Sequence, residues 1–162
     1  MIGFTALATV AVAVCPAENA HYVLRKAPGV SAYFRNVDSS PDWPSGLALA
    51  IHFKKSGHTF WWLPWNGGTD NRQNIASTTD VTAKSWRPPN PDGGPRPYGN
   101  MEYLGLNANY DVINDIPRRG KRAPAHMLLP YAGASEFNHG AGNSVSDTKQ
   151  FFDIISCSRT GS

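Results

Sequence analysis

The run from Leu47 to Leu63 constrains the fold more than any other part of the chain. Leu47, Leu49, Ile51 and Phe53 alternate with Ala48, Ala50, His52 and Lys54, the period of two that marks a strand. Ser56-Gly57 supplies a tight turn, and Thr59-Phe60-Trp61-Trp62-Leu63 returns as a second strand. Gly57 takes a positive φ at no steric cost, as a two-residue hairpin loop requires. Such a loop pairs Lys55 with His58, so Phe53 faces Phe60 and Ile51 faces Trp62. That face is the expected core. The opposite one, with His52, Trp61, Lys54 and Thr59, is mixed.

Shorter extended pieces surround this hairpin. Tyr22–Leu24 and Ser31–Phe34 precede it; Met101–Leu106, Asn109–Ile113 and Ala125–Leu129 follow. Phe151–Ile155 reads equally well as strand or short helix. Between Pro64 and Asn100 the character changes to polar turns and then to the Pro-rich stretch Arg87–Pro97, part of it polyproline II. A disordered linker normally lacks large aromatics, yet this segment carries Trp65, Trp86 and Tyr98. It is therefore expected to be an ordered loop strapped over the sheet. A short helix over Asn71–Ala83 is a secondary expectation, weakened by its Asn and Thr content.

Composition supports this reading. With 15 Gly and 13 Pro in 162 residues and only 17% charged residues, a coiled coil or long helical bundle is excluded. A 41% hydrophobic content is enough for a real core. The expected fold class is all-β, or α+β with one short helix. It is a small antiparallel β-sandwich or barrel with a long Pro/Gly-rich ordered loop.

The N-terminus points to a compartment. Ile2–Val14 is free of charge and rich in Ala and Val, and small residues follow at Ala17 and Ala20, the pattern of a secretory signal. No Lys or Arg precedes the apolar run, which departs from that pattern. Residues 1–20 are read as a probable signal segment and 21–162 as a single β-rich domain, periplasmic or secreted. Membrane contact is expected only through the N-terminal segment, if uncleaved. Val14 before Cys15 argues against a lipidation site. A cut after Ala17 leaves Cys157 as a lone structural thiol, whereas a retained N-terminus allows a Cys15–Cys157 bridge.

The chemistry-bearing residues fit no catalytic motif. His21, His52, His58, His126 and His139 show no metal-ligand spacing, and His52 and His58 fall on opposite hairpin faces. A site from His126, His139 and Glu136 is compatible with the sequence, but no metal and no cofactor is expected. Gly-x-Ser-x-Gly and phosphate-binding glycine loops are absent. A net charge of +3, with one dense basic run at Arg118–Arg122, is too weak for nucleic-acid binding and suits a secondary electrostatic contact.

The densest polar set follows the tryptophans. Asp70 and Arg72 lie in Gly67–Asn74, just after Trp61, Trp62 and Trp65, so flat apolar faces stand beside hydrogen-bonding groups. The expected contact surface is Trp65, Asp70, Arg72 and Trp86. The function expected from it is an exported envelope or extracellular binding or accessory module with a protein or glycan partner. Two alternatives remain at this level: a secreted hydrolase using His126 or His139 as base, with or without a metal, and a purely structural domain whose tryptophans are packing material.

Overall fold

A computed structural model describes residues 14–68, 72–130 and 149–158. They form nine strands: β1 (Ala20–Leu24), β2 (Ala27–Asn36), β3 (Leu47–Phe53), β4 (His58–Gly67) and β5 (Arg72–Thr78) come first. Then follow β6 (Asn100–Glu102), β7 (Leu104–Leu106), β8 (His126–Leu128) and β9 (Phe151–Cys157). All pair antiparallel in the order β6-β5-β4-β3-β2-β1-β9-β8-β7. The two end strands are separated in the chain only by Tyr103, so one stretch pairs with β5 at its start and with β8 at its end. The sheet thereby curls into a nearly closed barrel, which covers most of the backbone edge that an open sheet exposes. The fold is nearly all-β; the sole helical piece among the described residues is a 3-10 turn at Ala17–Asn19.

Alternation decides what lies inside. Tyr22, Phe34, Leu49, Ile51, Trp62, Ile75, Tyr103 and Met127 are buried together in the barrel interior. The hairpin faces follow the period of two, but the register does not follow the expected turn. Phe53 pairs with His58, Ile51 with Phe60 and Leu49 with Trp62. The loop is four residues, 54–57, closed by the Gly57 amide donating to the Phe53 carbonyl at 2.9 Å, with Gly57 at φ +72°. Two extra loop residues shift every pair by two positions, which preserves the facing of each side chain. His52 and His58 accordingly sit on opposite faces, with His52 Nδ1 2.9 Å from Thr59 Oγ1.

The second face of the hairpin is less mixed than its residues suggest. Ala48, Ala50, Trp61, Leu63 and Ala76 form a second buried cluster with Trp43 and Val81. The small Ala side chains leave room for the indoles, and residues 79–99 cross over them as a strap. Ser77 fastens its far end: its amide and hydroxyl both donate to the Gly99 carbonyl at 2.9 Å, and its Oγ accepts from the Tyr98 amide at 2.8 Å. The expected ordered loop is thus present only over residues 79–99, pinned to the outside of the barrel, whereas Pro64–Gly67 and Arg72–Thr78 belong to β4 and β5.

Three expectations need correction. Arg72–Thr78 is strand β5 and no part of a helix, because β4 and β6 pair with its two edges and Ile75 is buried. Asn109–Ile113 is a turn in place of a strand: Asn107 Oδ1 accepts from the amides of Asn109 and Asp111, and only Val112 bridges back to Leu106. Cys157 is not a lone thiol. It is disulfide-bonded to Cys15, and the Cys15 carbonyl accepts from the Ala123 amide at 2.8 Å. Ala17 is fully buried, and its amide donates to the Lys121 carbonyl at 2.8 Å. The packed domain therefore includes residues ahead of position 20, and a cut after Ala17 would remove the disulfide.

A candidate binding cleft and a histidine–aspartate cluster

Where the strap leaves the barrel wall, a cleft of about 370 Å³ opens between four segments. The loop before β3 supplies Asp42 and Trp43, β4 supplies Trp65 and Asn66, the strap supplies Pro91, Asp92 and Arg96, and Asn100 opens β6. Each group is held by local chemistry. Ser40 and Trp43 exchange backbone bonds at 3.1 and 3.2 Å, closing a tight turn that presents Trp43. The Trp43 indole donates to the Pro89 carbonyl at 2.8 Å, tying strap to loop. Arg96 lies with its guanidinium 5.0 Å from the Trp43 ring centre, a cation–π contact. Burial lowers the Arg96 pKa.

Trp65 is half-buried and follows Trp61 and Leu63 on the outer face of β4. A Cβ on Gly67 would meet Trp65 Cζ3 at 3.1 Å, so the bare glycine lets the indole lie along the strand. Its Nε1 is buried and finds no acceptor among the described residues. A buried donor left without a partner costs about 1–3 kcal/mol, so this one is an exception to the rule that interiors satisfy their polar groups.

The expected contact residues are dispersed. Trp65 is in the cleft wall. Trp86 packs on the same outer cluster but outside the cleft, its Nε1 donating to Thr78 Oγ1 at 3.2 Å. Arg72 is exposed at the start of β5, opposite Gly67, and does not line the cleft. Asp70 lies outside the described residues. Asp42, Trp43, Asp92 and Arg96 were not singled out by sequence; the usable signal was the Pro-Asp-Trp-Pro run at 41–44, whose two prolines frame an aromatic.

A second constellation lies across β8, β9 and the turn after β7. Asp153 accepts from Arg25 at 2.7 and 2.8 Å and stands 2.6 Å from His126 Nδ1. The Tyr110 ring stacks on His126 at 4.1 Å, nearly parallel, and its hydroxyl accepts from Arg25 at 2.7 Å. Tyr110 holds φ +66°, a conformation costly for a non-glycine residue. The Arg25 guanidinium, and then His126, hold the Asp153 carboxyl below its ordinary range. His139 and Glu136 lie outside the described residues, and no group of three metal-ligating side chains occurs among the described ones. In the basic run, Arg118 is paired with Asp115, and the Gly120 amide donates to Glu18.

No protein-family model matches the chain, and comparison with curated proteins and with solved structures likewise returns no match.

Proposed function

We propose that the chain is an exported binding module of the cell envelope or extracellular space, which captures its partner in the cleft between Trp43, Trp65 and the strap. The observation that carries this reading is the cleft itself, whose wall sets the half-buried Trp65 ring beside carboxylates, amides and a guanidinium. Ligand sites combine apolar surface with a few convergent polar groups in this way. The Cys15–Cys157 disulfide supports export, since such bonds persist in oxidising compartments. A signal cut compatible with that disulfide falls before Cys15.

Co-sedimentation tests the reading. Purified protein is mixed with the insoluble envelope fraction of its host, and wild type is compared with Trp65→Ala. Retention that needs Trp65 is the expected result. Equal retention of both proteins, or none of either, contradicts it.

A hydrolytic reading is favoured by one separate observation, the 2.6 Å contact between His126 Nδ1 and Asp153. With Nδ1–H donating to the carboxylate, Nε2 is left to take a proton from water or a hydroxyl, which is how a general base is oriented. This reading predicts turnover of an activated ester such as p-nitrophenyl acetate that His126→Ala destroys while the protein stays folded. Hydrolysis no faster in wild type than in His126→Ala removes it.

A further inference from the structure

The side chains around Trp65 narrow the ligand's chemistry. Asp42 and Asp92 only accept hydrogen bonds, Arg96 only donates, and the amides of Asn66 and Asn100 do both. A free anion entering the cleft meets two carboxylates, and a cation meets Arg96. A neutral ligand whose groups both donate and accept satisfies all five. Vicinal hydroxyls on a sugar ring do this, and the apolar C–H face of the same ring suits the flat indole of Trp65.

Peptide modes are restricted. An added strand needs a free sheet edge, and β4 and β5 are paired on both sides, which leaves only the short end strand β6 beside the cleft. Proline-rich ligands are commonly held by an indole N–H donating to a peptide carbonyl, and the Trp43 N–H already donates to Pro89 of the strap. The Trp65 N–H has no partner among the described residues, a state it shares with other buried polar atoms such as His21 Nε2 and Gln73 Oε1. The cleft is also built in advance, because the Ser77 bonds and the Trp43–Pro89 bond hold the strap in place, and this reduces the ordering cost of capture.

We infer that the cleft binds a neutral saccharide, the end or a short stretch of a glycan, with one ring against Trp65 and its hydroxyls shared among Asp42, Asp92 and Arg96. This rests on the binding-module reading and specifies its ligand.

The test begins with a broad glycan array probed with the full disulfide-bonded chain. Array hits are then titrated, alongside chitotetraose, cellotetraose and maltotetraose, into ¹⁵N-labelled protein while the indole N–H signals are followed. The Trp65 signal, assigned by its loss in Trp65→Phe, is expected to move and saturate with at least one saccharide. Trp65→Ala should weaken that binding at least tenfold. Asp92→Asn, on the strap and away from the barrel core, should weaken it severalfold with the melting temperature kept. High salt should leave affinity unchanged, as befits an uncharged ligand.

A movement of the Trp65 signal with inorganic phosphate or a proline-rich peptide, and with no saccharide, overturns the inference while the binding module stands. No array hit and no movement with any saccharide overturns it as well. If envelope co-sedimentation is also independent of Trp65, the binding-module reading falls with it.

Discussion

The indole N–H of Trp43 meets the carbonyl of Pro89 at 2.8 Å, joining the loop before β3 to a strap that arrives 46 residues later. The same ring carries Arg96 on its face at 5.0 Å. This one indole therefore fixes the strap from two directions and shapes the cleft. Trp43→Phe keeps a ring and removes the donor, at an expected cost of about 1 kcal/mol. Hydrogen exchange checks it: the Trp86 and Gly94 amides, bonded within the strap to Ala83 and Asn90, should lose protection while those of β3 and β4 do not. Unchanged protection in the strap would show that it is held elsewhere.

The disulfide closes the chain over a separation of 142 residues. Cross-links spanning long loops restrict the unfolded chain most, and loss of one costs about 2–5 kcal/mol. The double variant Cys15→Ser/Cys157→Ser should melt well below wild type. A thiol assay on unreduced protein should find no free thiol, folded or denatured, since neither cysteine is free.

Where the fold was legible in the sequence, a local rule was strong enough to act alone. The period of two placed Ile51, Phe53, Phe60 and Trp62 in the core and Ala48 and Ala50 opposite, and both faces stand. The pairing register was not legible, because Lys54-Lys55-Ser56-Gly57 accommodates a two- or a four-residue turn and only the latter lets Gly57 close onto Phe53. Strand β5 was obscured by Asn, Ser and Thr, residues of middling preference whose state is decided by β4 and β6 on either side. The Cys15–Cys157 bridge was legible only as an alternative, because Cys15 ends an apolar run that reads as a signal. Trp65 was visible as a candidate, whereas Asp42, Trp43, Asp92 and Arg96 converge only through the path of the strap, which no local pattern encodes.

Asp153 ties Arg25, just after β1, to His126 of β8 through its ionised carboxylate, and Arg25 in turn donates to the Tyr110 hydroxyl. Arg25 first and His126 second hold its pKa below the ordinary 3.8, so the folded state gains stability above that value. The gain disappears as pH falls through the lowered folded pKa. Thermal melts of wild type and Asp153→Asn should differ near neutral pH and converge only as pH falls below 3.8 and through the lowered folded value. A difference that persists undiminished into strong acid would assign the stability to shape in place of charge.

Tyr22 and Tyr103 lie wholly inside the barrel, and burial pushes both phenols far above their ordinary 10.0. Tyr22 also donates its hydroxyl to the Pro124 carbonyl at 2.9 Å. In an alkaline titration followed by phenolate absorbance, these two should ionise only as the barrel unfolds. Two phenols fewer than the chain's 6 tyrosines should then titrate in the native protein at most. Early, reversible ionisation of all 6 would contradict a sealed interior.

The central claim is that Trp65 is a contact residue, whereas Trp62, three positions earlier, is core. The direct measurement is a paired one, melting temperature together with envelope retention, for Trp65→Ala and Trp62→Ala. Trp62 is fully buried and its truncation should cost about 3–5 kcal/mol. Half-buried Trp65 should cost no more than about 2 kcal/mol and yet abolish retention. A Trp65→Ala protein that melts as low as Trp62→Ala, or that is retained like wild type, would contradict the account.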